Sequence, residues 1–297
     1  MNLEQMNDKL KGAVCGIVSA MCYGINPIGK LLYADGISTD TLLLYRFSLA
    51  AVVFAIAIVV TKGSFRLTKR EGLITLGLGL LFGASSMTLY YSFRQMATGV
   101  ASTLLFLYPL LVAIIMAVCF RERVGWRTLL AIVVAFIGIA ILNYGGDDNS
   151  LNLVGGVLVF VSALTYAIYI VILNRSLSKV SPLTLSFYVA LCCVCCNLVH
   201  SLIDPTISLQ LLTAPKHLLV VGALAIFPTV VALLLLAVSV RKIGSTPTAI
   251  LGALEPLTAV LIGVLLYDES FTFPLAVGIV LILASVLMVV LPQQKPA

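Results

Sequence analysis

Charge is what this chain has least of. Only 10% of its 297 residues are Asp, Glu, Lys or Arg, against 61% hydrophobic residues, whereas a soluble globular domain carries about 25% charged residues. That ratio excludes a water-soluble fold, and the mean hydropathy of +1.14 agrees. Histidine occurs twice and tryptophan once, and there is no HExxH, P-loop or GxSxG stretch. Without a P-loop the chain alone drives nothing by ATP hydrolysis. An intramembrane enzyme would need polar residues clustered at one depth, and only Glu255 fits, so the chain reads as no enzyme, with no cofactor and no metal. The seven cysteines fall mostly inside apolar runs and make no secreted disulfide framework. Cys192-Cys193-Val194-Cys195-Cys196 contains CxxC twice, but without a His or carboxylate inside the run small, soft core residues are expected there.

What the chain does have is apolar length. A membrane-spanning helix needs about 20 mostly apolar residues, and ten such segments occur, at 12–33, 41–61, 73–92, 98–119, 126–143, 153–173, 183–203, 217–238, 247–267 and 273–291. Lys9 and Lys11 ahead of the first segment, with Val18-Ser19-Ala20 inside it, have the outline of a signal peptide. The same segment recurs at 155–168, where cleavage would make no sense, so a retained helix is expected. Fourteen of the eighteen lysines and arginines fall on one side when alternate loops are counted with the N-terminus inside. By the positive-inside rule both termini are then cytoplasmic, in a plasma membrane of bacterial type. The formal charge of +6 is thereby assigned to orientation in the bilayer and not to nucleic acid.

The ten segments repeat. Gly12–Ile25 aligns with Gly155–Ile168 without a gap, sharing Gly12/Gly155, Val14/Val157, Val18/Val161, Ser19/Ser162, Ala20/Ala163, Tyr23/Tyr166 and Ile25/Ile168. Tyr108-Pro109 stands 147 residues before Glu255-Pro256, and Arg121-Glu122 the same distance before Asp268-Glu269. Five helices per unit is an odd number, so the second unit enters the membrane from the opposite side, as in inverted-repeat transporters. The expected fold is all-α integral membrane, ten transmembrane helices as two inverted five-helix repeats, residues 8–147 and 150–292.

On these residues (the small-rich opening helices, Leu107-Tyr108-Pro109 … Arg121-Glu122 … Gly138, and Leu254-Glu255-Pro256 … Asp268-Glu269 … Ser285) the chain resembles the drug/metabolite transporter superfamily, specifically its EamA branch. The resemblance covers nearly the whole chain and rests on repeated order, since the individual motifs are short. It departs at Ser285, which stands where the first half has Gly138. It also departs in the first helix, where Asn26-Pro27 and Lys30 stand in place of the glutamate of the small multidrug exporters, so their proton-coupling scheme does not carry over. The resemblance implies secondary transport of a small metabolite, an amino acid or related compound and often export, from a central cavity, with protons as a potential partner. A membrane-embedded sensor or scaffold without flux and an uncoupled carrier are the alternatives, and a monomer in the bilayer is the expected state.

Two charges lie well inside apolar runs, Arg46 in the second segment and Glu255 in the ninth. Such residues by default mark a pathway, a relay or a pair. A carboxyl taken out of water can exchange a proton or hold a substrate cation in the physiological range. Pro256, next to it, is expected to break the helix and leave a free carbonyl beside the carboxylate. Helix rise places Arg46 and Glu255 at depths about 9 Å apart, so a pair is allowed but not forced, and the offset favours an Arg46 that snorkels to the outer surface. Thr248, Gly252, Glu255 and Ala259 share one face of the ninth segment, a small and partly polar cavity wall, although close helix packing explains the small residues as well. Tyr23, Tyr108 and Tyr166 sit deep enough that their hydroxyls need partners, and with Asn26 and Ser162 they are candidates to line an amphipathic pocket. Gly79-Leu-Leu-Phe-Gly83 is a GxxxG, read chiefly as a helix contact.

Overall fold

The structure, a computed structural model, describes residues 3–96, 101, 104–121, 125–142, 153–176, 180–205, 207–266 and 273–290. Among these there are helices and no strands: α1 (Leu3–Tyr23), α2 (Lys30–Ala34), α3 (Thr39–Val60), α4 (Lys69–Gln95), α5 (Tyr108–Phe120), α6 (Trp126–Leu142), α7 (Leu153–Ser176), α8 (Pro182–Ile203), α9 (Pro215–Ala225), α10 (Ala232–Ile243), α11 (Ser245–Leu251), α12 (Leu254–Leu266) and α13 (Phe273–Val290). Each of the ten apolar segments overlaps one or more of them. Six stretches are long and apolar enough to cross a membrane by length and composition: Asn7–Ala34, Thr39–Val60, Lys69–Gln95, Leu153–Arg175, Pro182–Ile203 and Pro215–Ile243. Tyr108–Phe120 and Trp126–Gly138 are shorter apolar helices. The repeat marks Glu122, Asp268 and Glu269 lie outside the described residues.

Local sequence sets the helix ends. Thr68 and Glu71 close a capping box at the start of α4, with Thr68 N donating to Glu71 Oε2 at 2.8 Å and Glu71 N to Thr68 Oγ1 at 3.3 Å. Ser38 caps α3 by accepting from Thr41 N at 3.2 Å. Ser181 caps α8 in the same way, accepting from Thr184 N at 3.1 Å ahead of Pro182. Within the helices polar side chains are few, and lipid-facing leucines, isoleucines and valines stay exposed, Val59 and Val118 among them.

The packing recurs between the two parts of the chain. Helix α1 lies along α10 as α7 lies along α4; α3 packs on α8, and α6 on α13. Ser19 Oγ donates to the Ala232 carbonyl at 2.8 Å, and Ser162 Oγ to the Ser85 carbonyl, also at 2.8 Å. Gly12 meets the backbone and side chains of Lys242 and Ile243, and Gly155 meets the side chains of Gln95 and Met96. Gly79 belongs to a close crossing: a Cβ there would lie 2.4 Å from Cys192 Cβ, and Gly83 faces Cys196. The GxxxG and the cysteine run are therefore two sides of one α4–α8 contact.

Four of the apolar segments are not continuous helices, the fourth turning at Phe106 and Leu107 just ahead of α5. After Tyr23 the first relaxes into a 3₁₀ turn, Asn26–Gly29, opened by Pro27. The eighth widens into a π-helical stretch, Ile226–Val231, around Pro228. The ninth breaks at Gly252 and Ala253, between α11 and α12. Intact backbone hydrogen bonding is what lets a helix sit in lipid, so interruptions at depth belong where protein or a cavity surrounds them.

Candidate functional site

Two of these breaks touch. Gly24, where α1 ends, lies so close to the start of α12 that a Cβ would come within 2.5 Å of the Glu255 carbonyl oxygen and of Thr258 Cβ. Only a glycine permits that approach. Glu255 sits in the first turn of α12, so its carboxylate is carried at a helix N-terminus, the end that favours negative charge. Pro256 is accommodated in that first turn, where no intrahelical N–H is required. This corrects the expected role of Pro256. The break precedes it, and the Gly252 carbonyl that a proline would strand accepts from Glu255 N at 2.9 Å.

Arg46 crosses from α3 to the breaks of the first and eighth segments. Its Nε donates to Thr229 Oγ1 at 2.7 Å, and its Nη2 to the Pro228 carbonyl at 3.2 Å, both in the π-helical stretch. Its Nη1 donates to Asn26 Oδ1 at 2.9 Å and to Tyr90 Oη at 2.8 Å. The Tyr90 hydroxyl in turn donates to Asn26 Oδ1 at 3.1 Å, and Thr229 Oγ1 to the Leu224 carbonyl at 2.9 Å. The guanidinium also lies 5.2 Å from the Phe47 ring centre and 5.4 Å from that of Tyr90. Arg46 is 2% exposed, so the expectation of outward snorkelling is wrong. Snorkelling is the resort of a cation without buried acceptors. Here a π-helical stretch and a 3₁₀ turn supply them at the same depth, which helix rise alone does not reveal. No ion pair joins Arg46 and Glu255 among the described residues.

Both side chains do face one cavity. It holds about 40 Å³, room for a few water molecules, and is lined by Tyr23, Asn26, Arg46, Phe82, Ser85, Ser86, Leu89, Tyr90, Leu105, Tyr166 and Glu255. Glu255 is half-buried, and among the described residues nothing hydrogen-bonds its carboxylate. The Tyr23 hydroxyl is buried without a partner as well. Arg46, in contrast, has four of its five N–H groups engaged. The free chemistry of the cavity is thus a hydrogen-bond acceptor among aromatic rings: Tyr23 and Tyr166 meet edge-on at 6.2 Å, and Tyr166 and Tyr108 at 4.9 Å.

Of the eight residues singled out in the sequence, Tyr23, Asn26, Arg46, Tyr166 and Glu255 line this cavity. Tyr108, Thr248 and Gly252 do not. The Tyr108 hydroxyl docks against Gly252, where a Cβ would fall 1.5 Å from it. Thr248 is taken up by Ser239 Oγ at 2.9 Å and by the Gly244 carbonyl at 2.7 Å. The small face of the ninth segment therefore serves packing, and only its glutamate reaches the space. Missed from sequence were Tyr90, Thr229, Pro228, Phe82 and Leu89. The available signal for two of them was Phe227-Pro228-Thr229, a proline with a hydroxyl beside it in the middle of an apolar run. Among the described residues no three His, Cys, Asp or Glu side chains could hold a metal ion.

The EamA-like transporter family matches the chain twice, at residues 10–144 and 153–291. Over 285 residues the chain is 22% identical to "Uncharacterized transporter YcbK" of Bacillus subtilis (strain 168), covering 93% of this chain and 91% of that one. It is 27% identical over 242 residues to "Uncharacterized inner membrane transporter YicL" of Salmonella typhimurium, covering 78% of this chain and 77% of the relative. An "Uncharacterized transporter" of Archaeoglobus fulgidus is 31% identical over 143 residues, about half of each chain (48% and 49%). A solved crystal structure of a protein 16% identical superposes with a TM-score of 0.79, covering 94% of this chain and 97% of the other, a likeness of fold.

Proposed function

The chain belongs to the EamA-like transporter family, and on that premise we propose that it moves a small metabolite, an amino acid or related compound, across the plasma membrane by alternating access, with export the expected direction. The observation that carries the reading is the Glu255 carboxylate, which faces this cavity with no hydrogen-bond partner among the described residues. A carboxylate left free beside tyrosine rings is suited to an ammonium group, which it attracts by charge and the rings by their π-faces, or to a proton. Arg46 then acts as a positioning residue. Its bonds hold the Asn26 turn and the Pro228 stretch, the two walls between which the substrate would pass.

The ten-span inverted repeat, residues 8–147 and 150–292, belongs to this reading. Its support is the double family match together with the recurring contacts: Ser19 to Ala232 beside Ser162 to Ser85, and the Ser38 and Ser181 caps. With more lysines and arginines on the side of the termini, both termini are cytoplasmic in this reading.

Glu255→Gln keeps the shape and removes the charge and the titration. In liposomes holding purified protein and its substrate, once a metabolomic comparison of cells with and without the protein has supplied one, Glu255→Gln is expected to express normally, lose most of its transport and show a flattened pH profile. Glu255→Asp should retain part of the activity. Wild-type rates with an unchanged pH profile in Glu255→Gln would remove this residue from the mechanism.

A further inference from the structure

The chain has two histidines, and both lie at the end of the molecule away from Leu3, each against an aspartate from the other part of the sequence. His200 closes the last turn of α8 and places Nδ1 2.7 Å from Asp40 Oδ1, in the first turn of α3. The Asp40 side chain is 2% exposed and that of His200 38%. The Tyr91 hydroxyl, from α4, donates to the other Asp40 oxygen, and its ring meets that of His200 at 5.8 Å. Arg94 on α4 and Asp204 just past α8 stand within electrostatic reach of Tyr91. Further along, His217 Nε2 lies 3.1 Å and Lys216 Nζ 2.8 Å from Asp35 Oδ2.

Between these two contacts the chain crosses over the start of α3. Gln210 Oε1 accepts from Ser38 N at 2.8 Å, Gln210 Nε2 donates to the Gly36 carbonyl at 3.0 Å, and Gln210 N donates to Thr41 Oγ1 at 3.0 Å. The opposite end of the molecule has the matching strap, 61–68, lying across the start of α8. There Thr184 Oγ1 donates to the Ser64 carbonyl at 2.9 Å and Tyr188 Oη to the Phe65 carbonyl at 2.8 Å. Those bonds join hydroxyls to carbonyls, and among the described residues none involves a group that titrates near neutrality. The two straps share their geometry and differ in their chemistry.

We propose that the 207–217 strap is a pH-responsive clamp, tightened onto the start of α3 when His200 and His217 are protonated and loosened when they are neutral, while the 61–68 strap does not respond. The physical reason is charge. A neutral imidazole gives Asp40, already withdrawn from water, a hydrogen bond but no counter-charge. An imidazolium gives both. The Asp35 carboxyl is held below the ordinary carboxylate range by its hydrogen bond to Lys216 and then by that to His217, so this aspartate keeps its charge in mild acid. If the termini are cytoplasmic, the clamp faces outward and reads external pH. It stands on these contacts and not on any substrate.

Hydrogen–deuterium exchange of the purified protein in lipid nanodiscs at pH 5.5 and 8.5, corrected for the intrinsic exchange rate, tests it without a substrate. Corrected exchange in 207–217 should be about tenfold faster at pH 8.5, the order expected when a charge-assisted bond is weakened, with 61–68 unchanged. The His200→Gln, His217→Gln double variant should exchange at the fast rate at both values. An equal response in both straps, no response in 207–217, or a response that survives in the folded double variant would overturn the proposal. The comparison of the two straps within the wild type decides the matter even if the variant does not fold.

Discussion

Arg46→Leu removes a cation from four hydrogen bonds at once, yet most of the groups it leaves have somewhere to turn. Tyr90 Oη still reaches Asn26 Oδ1, and Thr229 Oγ1 still reaches the Leu224 carbonyl. The lost bonds to a charged donor and the stranded Pro228 carbonyl should cost about 2–4 kcal/mol, read as a lower melting temperature and lower yield in detergent. Adding Glu255→Leu should give no rescue, because no ion pair joins the two residues. Recovery of stability in that double variant would mean the pair forms in a state this structure does not represent. Arg46→Lys should recover only part, since one ammonium cannot serve the Thr229 side and the Asn26 side of a planar guanidinium. That Arg46 and Glu255 matter was legible in the sequence from cost alone, because charge inside an apolar run is expensive. Which groups satisfy Arg46 was not legible, because its acceptors at Pro228 and Thr229 come from a helix 182 and 183 residues away.

At the scale of the helices, the breaks carry the site and glycines carry the breaks. Gly252 ends α11 where the Tyr108 hydroxyl lies, so Gly252→Ala drives a methyl to within 1.5 Å of that oxygen. Tyr108 would have to move, and its ring is packed edge-on against Tyr166, which lines the cavity. Overpacking of this kind costs about 1–3 kcal/mol, and the strain should propagate to Glu255 three residues on. Tyr108→Phe deletes the clashing oxygen and should restore part of the stability of Gly252→Ala, leaving the 2.8 Å approach to Cζ. Thermal melts of the two single variants and the double variant check this, and strictly additive losses would place the strain elsewhere. Helix existence and the Gly79–Gly83 contact were readable from apolar length and small-residue spacing. The break itself was read one turn too late, since Pro256 drew attention from a Gly252-Ala253 turn that only the packing of Tyr108 makes necessary.

For the whole molecule the first question is which way it faces. Ser64 and Ser208 are exposed on the two opposite straps. A cysteine at Ser208 should label with an impermeant thiol reagent on intact cells, above the background of the native cysteines, and one at Ser64 only after permeabilisation. The reverse pattern would invert the orientation. Alternating access then makes a stronger demand. Under the proposed repeat, the bonds of Ser162 to Ser85 and of Ser19 to Ala232 pair Ser85 with Ala232, and so Leu89 with Leu236, one turn beyond each. They are not in equivalent surroundings. Both are buried, at 7% and 5% exposed, but Leu89, on the part of α4 nearer Asp40, lines the cavity, whereas Leu236, on the helix whose end meets Asp8, does not. If the halves form an inverted repeat, a residue that lines the space in one half and lacks it in the other is what one of two exchanging states would show. A cysteine at Leu89 should therefore react with reagent from the Asp40 side, and one at Leu236 from the Leu3 side, and any condition that raises one rate should lower the other. Rates that rise and fall together would point to an opening through both faces at once, and with it to a channel-like or purely structural role.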